Sequence, residues 1–170
     1  MKAALLVVVA TAAAAMLLVP SLGLGGGDGR KVLEARVLGA VVPPYTGTTN
    51  PIRGVPGAGA PWVIGDSEAD LRSDGRLHVE VEGLVLASNG TNPISNFDAI
   101  VSCQTIDGGA ATVTNVRTEP FPASTAGDTA GDAEFDGEVD LPSPCFAPIV
   151  FVAIPGANGG ADRWLAVTGR

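Results

Sequence analysis

The chain is poor in the groups that most enzymes and metal sites use. Histidine occurs once, as His78, and cysteine twice. A single imidazole supplies too few nitrogen ligands for a typical zinc or copper centre. Aromatic residues are only 5% of the chain, so its interior must be filled by Val, Ile, Leu and Ala. Basic charge is scarce as well. Ten Lys and Arg face eighteen Asp and Glu, a formal net charge of −8. That balance argues against a nucleic-acid partner, whose phosphates call for a basic surface, and against electrostatic docking on anionic lipid. There is no nucleophile elbow, no phosphate-binding loop and no amphipathic helical repeat beyond the N-terminal segment. No cofactor is expected.

What is present begins with an address. Met1-Lys2 is a short basic start, and Ala3 to Val19 carries no charge before Pro20 breaks any helix. Ser21 and Gly23 are small residues at signal-peptidase spacing, which reads residues 1–23 as a secretory signal peptide. Retention as a membrane anchor is the alternative. The apolar run sits near the lower limit of roughly 17 residues for spanning, so cleavage is the expectation. Residues 24–30, rich in glycine, read as a flexible leader, and residues 31–170 as a single domain. The abundance of Ala, Gly and Val, with Arg favoured over Lys, points to a bacterial source with a GC-rich genome. Export implies an oxidising space, so Cys103 and Cys145 are expected to form a disulfide.

The rest reads as strands and turns. Lys31 to Val42 is β-branched and apolar and is expected to form one strand, ended by Pro43-Pro44. Five prolines make residues 43–61 an irregular connection. A hairpin follows, with Ala69 and Leu71 on one arm and Leu77, Val79 and Val81 on the other. A three-residue loop, Ser73 to Gly75, pairs Leu71 with Leu77 and keeps the apolar side chains on one face. Gly75 should then be left-handed. Residues 98–106 form another strand, carrying Val101 and Cys103 on one face. They return through 111–118, where Val113 and Val116 are out of phase and imply a bulge near Asn115. Residues 132–141 alternate, with Ala133, Phe135, Val139 and Leu141 inward and five carboxylates outward. Residues 149–154 are apolar throughout, as in a strand buried on both faces. The chain closes with a turn through 158–160 and a strand at 163–168. About eight strands without helices read as an all-β fold, an immunoglobulin-like or jelly-roll sandwich. Both Trp lie outside the cysteine pair, so the strict immunoglobulin pattern is absent.

The strings Gly83-Leu84-Val85-Leu86, Thr91-Asn92-Pro93-Ile94, Ala99-Ile100-Val101-Ser102-Cys103, Leu141-Pro142-Ser143-Pro144-Cys145-Phe146-Ala147-Pro148 and Trp164-Leu165-Ala166-Val167-Thr168-Gly169 resemble a group of small exported β-rich bacterial proteins. The resemblance implies a single exported domain and carries over no activity, cofactor or catalytic residue.

Three candidate sites emerge. Trp62, Trp164 and Tyr45 would make an aromatic platform for a sugar; alternatively both Trp cap the core with their N–H groups on carbonyls. Asp132, Glu134 and Asp136 resemble the opening of a calcium loop, although position twelve is Ser143 rather than Glu. His78 should lie opposite Asp70 as a surface ion pair. A secreted hydrolase would instead combine Asp70 or His78 with the 132–140 carboxylates, or with Ser67 or Ser102. The favoured reading is a secreted or cell-surface, non-enzymatic module that binds an extracellular glycan or protein. The hydrolase and a calcium-stabilised module are the alternatives.

Overall fold

A computed structural model describes residues 29–156 and 162–169. The expected signal peptide, most of the leader and the turn through 158–160 lie outside the described residues. Twelve strands follow one another: β1 (Lys31–Ala35), β2 (Leu38–Ala40), β3 (Trp62–Val63), β4 (Ser67–Arg72), β5 (Arg76–Val81), β6 (Val85–Leu86), β7 (Asn96–Asp107), β8 (Ala110–Arg117), β9 (Phe121–Pro122), β10 (Ala133–Glu138), β11 (Phe146–Ile154) and β12 (Arg163–Thr168). Four of them, β2, β3, β6 and β9, are only two or three residues long, which is why the turn spacing implies fewer.

The strands form an all-β sandwich. One sheet has the order β1-β4-β5-β10; the larger one runs β2-β12-β11-β7-β8, with β9 added on β7. All pairings between these strands are antiparallel, and one isolated parallel bridge joins Gly57 to Trp164 of β12. Between the sheets lies one core, with Leu71, Val79, Phe97, Val101 and Val150 among its fully buried side chains. Phe121 from the larger sheet meets Phe135 from the smaller one, ring centroids 5.4 Å apart.

The β4–β5 hairpin has the expected register, Leu71 opposite Leu77 and Ala69 opposite Val79. Gly75 is left-handed, with φ 93°. A side chain there would also strike the Val139 carbonyl oxygen, 2.2 Å from where a Cβ would sit. Cys103 on β7 is bonded to Cys145, just before β11, with Cα atoms 5.0 Å apart. Because β7 and β11 are neighbours, the bridge ties two strands of one sheet. An immunoglobulin bridge joins two sheets.

Two expectations need correction. Residues 31–42 are not one strand. β1 pairs β4 in the smaller sheet, whereas β2 pairs β12 in the larger one. The chain changes layers at Arg36-Val37, and the Leu38 N–H is taken up by Ser67 Oγ at 2.9 Å. There is also no bulge at Asn115. The β7–β8 ladder runs without a shift from Ile100–Arg117 to Asp107–Ala110. Val113 breaks the phase because it points outward, 41% exposed.

Candidate functional site

The outer face of the smaller sheet concentrates the charge. Alternation sends Glu68 and Asp70 of β4, His78 and Glu80 of β5, and Glu134 and Asp136 of β10 to the side away from the core. Strand register then lines them up in two rows. One row is Glu68–Glu80–Glu134, three glutamates directly opposite one another. The other is Asp70–His78–Asp136, continued by Glu34 on β1. A shallow groove of about 440 Å³ runs beside the second row, lined by Lys31, Asp70, Arg76, His78 and Asp136 among others.

The counter-charges sit mostly at the β1 side. Lys31 Nζ lies 3.0 Å from Asp70 and 3.2 Å from Glu34. Arg36 bridges Glu34 and Glu68. His78 faces Asp70 in register as expected, but its ring is held elsewhere. Nδ1 is 2.9 Å from Asp136 and Nε2 is 3.3 Å from Glu68. Asp70 is drawn off by Lys31. Partial burial lowers the pKa of His78, but the hydrogen bond and charge of Asp136, with Glu68 and Glu134, outweigh it and leave the pKa above 6.5.

The calcium set does not assemble. Asp132 Oδ1 accepts the Gly83 N–H at 2.8 Å and so serves as a loop anchor. Glu134 and Asp136 converge instead with His78, their ligand atoms within 4.8 Å of one another, as do Glu68 and Glu80 with His78. An imidazole in each group is foreign to an all-oxygen calcium shell.

Of the hydrolase set, His78 does meet Asp136 and Glu134, but neither serine joins them. Ser67 Oγ is turned inward onto Leu38 N–H, and Ser102 is buried in the other sheet. Glu134, Asp136, Glu138 and Asp140 are exposed to solvent.

The aromatic platform is absent as well. Trp62 and Trp164 are each 2% exposed. Tyr45 is 44% exposed and leans on Trp164 with centroids 6.4 Å apart; Trp164 in turn meets Phe151 at 6.2 Å. Neither indole N–H has a hydrogen-bond partner among the described residues, so the carbonyl caps are not formed.

One feature escaped sequence reasoning. Asp98 of β7 is 1% exposed, and its Oδ1 has no hydrogen-bond partner among the described residues. Burial first, then the nearby Asp162, raise its pKa from an ordinary 3.8 to about 6, against the pull of Arg117. Asp162, itself 6% exposed, is held by Arg117 at 2.6 Å and by the Gly156 N–H at 2.9 Å. Asp98 and Asp162 are far apart in sequence, and only the β7–β11–β12 pairing brings them together. No protein-family model, curated protein or solved structure matches the chain.

Proposed function

We propose that the chain is an exported, non-enzymatic binding module, and that the charged outer face of the smaller sheet is its contact surface. The partner is an extracellular protein or peptide of basic character. The Cys103–Cys145 bridge fits an oxidising space, in keeping with the expected signal peptide.

The observation that carries this reading is the Glu68–Glu80–Glu134 row. Like charges directly opposite one another on a sheet cost stability. Glu68 has a cationic side chain beside it in Arg36, and Glu80 and Glu134 each lie close to His78. A face built only for solubility would intersperse the signs. A partner that brings lysine or arginine to this row relieves the repulsion on binding and is steered there by the field. A sugar partner is disfavoured because both indoles are buried.

The test is co-sedimentation of the purified protein with cell envelopes of the producing organism. Depletion that weakens as salt rises, and that is lost in a folded Glu80→Gln/Glu134→Gln variant, supports the reading. Equal depletion of both proteins, or none of either, overturns it.

A further inference from the structure

The larger sheet ends at β8. One side of β8 is bonded to β7 along its whole length, and its other side has no strand among the described residues. Long edges of this kind are usually blunted by lysine, proline or a bulge, because their free N–H and C=O groups template further pairing. β8 has none of these devices. Its sequence, AATVTNVR, is β-prone, uncharged up to Arg117, and free of carboxylates in a chain that holds eighteen. Two copies therefore repel over most of their surface but not here.

The sheet face beside this edge is apolar and exposed. Gln104 lies opposite both Val113 and Phe146, so these three share one row on one face. Ile106, two residues on from Gln104, joins them. Val113 is 41% exposed, Ile106 54% and Phe146 54%.

We infer that β8 pairs antiparallel with β8 of a second copy, about a twofold axis perpendicular to the sheet. Such an axis keeps every residue on its own face, so odd positions must meet odd and even must meet even. Centring on Val113 sets Val113 against Val113, Thr112 against Thr114, and Ala111 against Asn115. The two Thr–Thr pairs and the central valine pair are favourable cross-strand partners. The two apolar patches become one continuous strip across the joined sheets, and the two Arg117 side chains lie at opposite ends. Centring on Thr114 instead sets Val113 against Asn115 and breaks the strip.

The experiment is mass by light scattering over a dilution series, for the wild type and Val113→Lys. The wild type should run as a dimer that dissociates on dilution. The lysine variant should weaken association by at least about tenfold, while its unfolding midpoint at dilutions where both proteins are monomeric stays put, because position 113 is exposed. Register is read from Val113→Cys, which should form a disulfide-linked dimer through residue 113, since directly opposed residues lie within bridging distance. Thr112→Cys, which meets Thr114 rather than itself, should not. A wild type that is monomeric throughout overturns the inference. So does a dimer indifferent to Val113→Lys, or a cross-link through residue 112 instead of 113.

Discussion

The two sheets of this sandwich treat their outer faces in opposite ways. On the smaller sheet the outer face is wet: β5 alternates Leu77, Val79 and Val81 inward with His78 and Glu80 outward. On the larger sheet the outer face is largely dry. Val150, Phe151, Val152 and Ala153 of β11 are all fully buried, whichever side they point to. The cover is the proline-rich connection between β2 and β3. The Trp164 backbone N–H donates to the Pro56 carbonyl and the Ala58 backbone N–H to the Trp164 carbonyl, each at 3.0 Å. Arg53 donates to the carbonyls of Ser102 and Ala147 at 2.7 and 2.8 Å. The segment thus runs beside β12 through the Gly57–Trp164 bridge and lays Tyr45 on Trp164 and Arg53 on the β7 and β11 backbone. The lesson is a division of labour: one outer face is largely covered and adds to stability, and the other is left in solvent.

That division can be broken most severely at Trp164. Trp164→Ala should cost up to about 5 kcal/mol in urea unfolding, because it empties the covered layer. Glu80→Gln on the wet face should stay within about 0.5 kcal/mol. Opening the Cys103–Cys145 bridge, whose partners are 42 residues apart, should cost about 4 kcal/mol by the chain-entropy model. The check is the thermal midpoint with and without reductant.

Asp98 sharpens the contrast through pH. Its folded pKa of about 6 lies above the ordinary 3.8, so the folded state holds the proton more tightly. The carboxyl therefore favours folding in acid. That advantage fades as pH rises from about 3.8 through 6 and is gone above. Asp98→Asn should be more stable than wild type at pH 8 by roughly 2 kcal/mol, allowing for screening by exposed Arg117, and equal to it near pH 4. Unfolding curves at the two pH values decide it. His78 works on the wet face with a smaller effect. Its raised pKa gives a contribution that is complete below about 6.5 and lost as pH rises through the folded value. His78→Gln should cost under about 1 kcal/mol at pH 5.5 and nothing at pH 9, by the same curves.

The contrast also explains what could be read from the sequence. The β4–β5 hairpin was legible down to register and β10 down to its inward face, because a half-solvated sheet writes its period into alternating side chains. β11 was legible as a doubly buried strand. The cover was not: Tyr45, Pro56 and Ala58 carry no periodic signal, so nothing in the sequence says which sheet they lie on. For the same reason the sequence favoured a core place for Trp164 but left a surface platform open. The break at Arg36-Val37 was hidden because both halves of 31–42 are apolar enough for either sheet. The proximity of Asp98 to Asp162, and the bonding of His78 to Asp136 and Glu68 rather than Asp70, arise from strand order, which local pattern does not encode.

The most direct measurement takes binding and stability from one variant, Glu80→Gln/Glu134→Gln. If the wet face is kept for contact, the variant loses salt-sensitive envelope binding while its urea midpoint is unchanged or higher, since like charges have been removed from opposite positions. Retained binding, or a fall in stability alongside its loss, would contradict that division of the two faces.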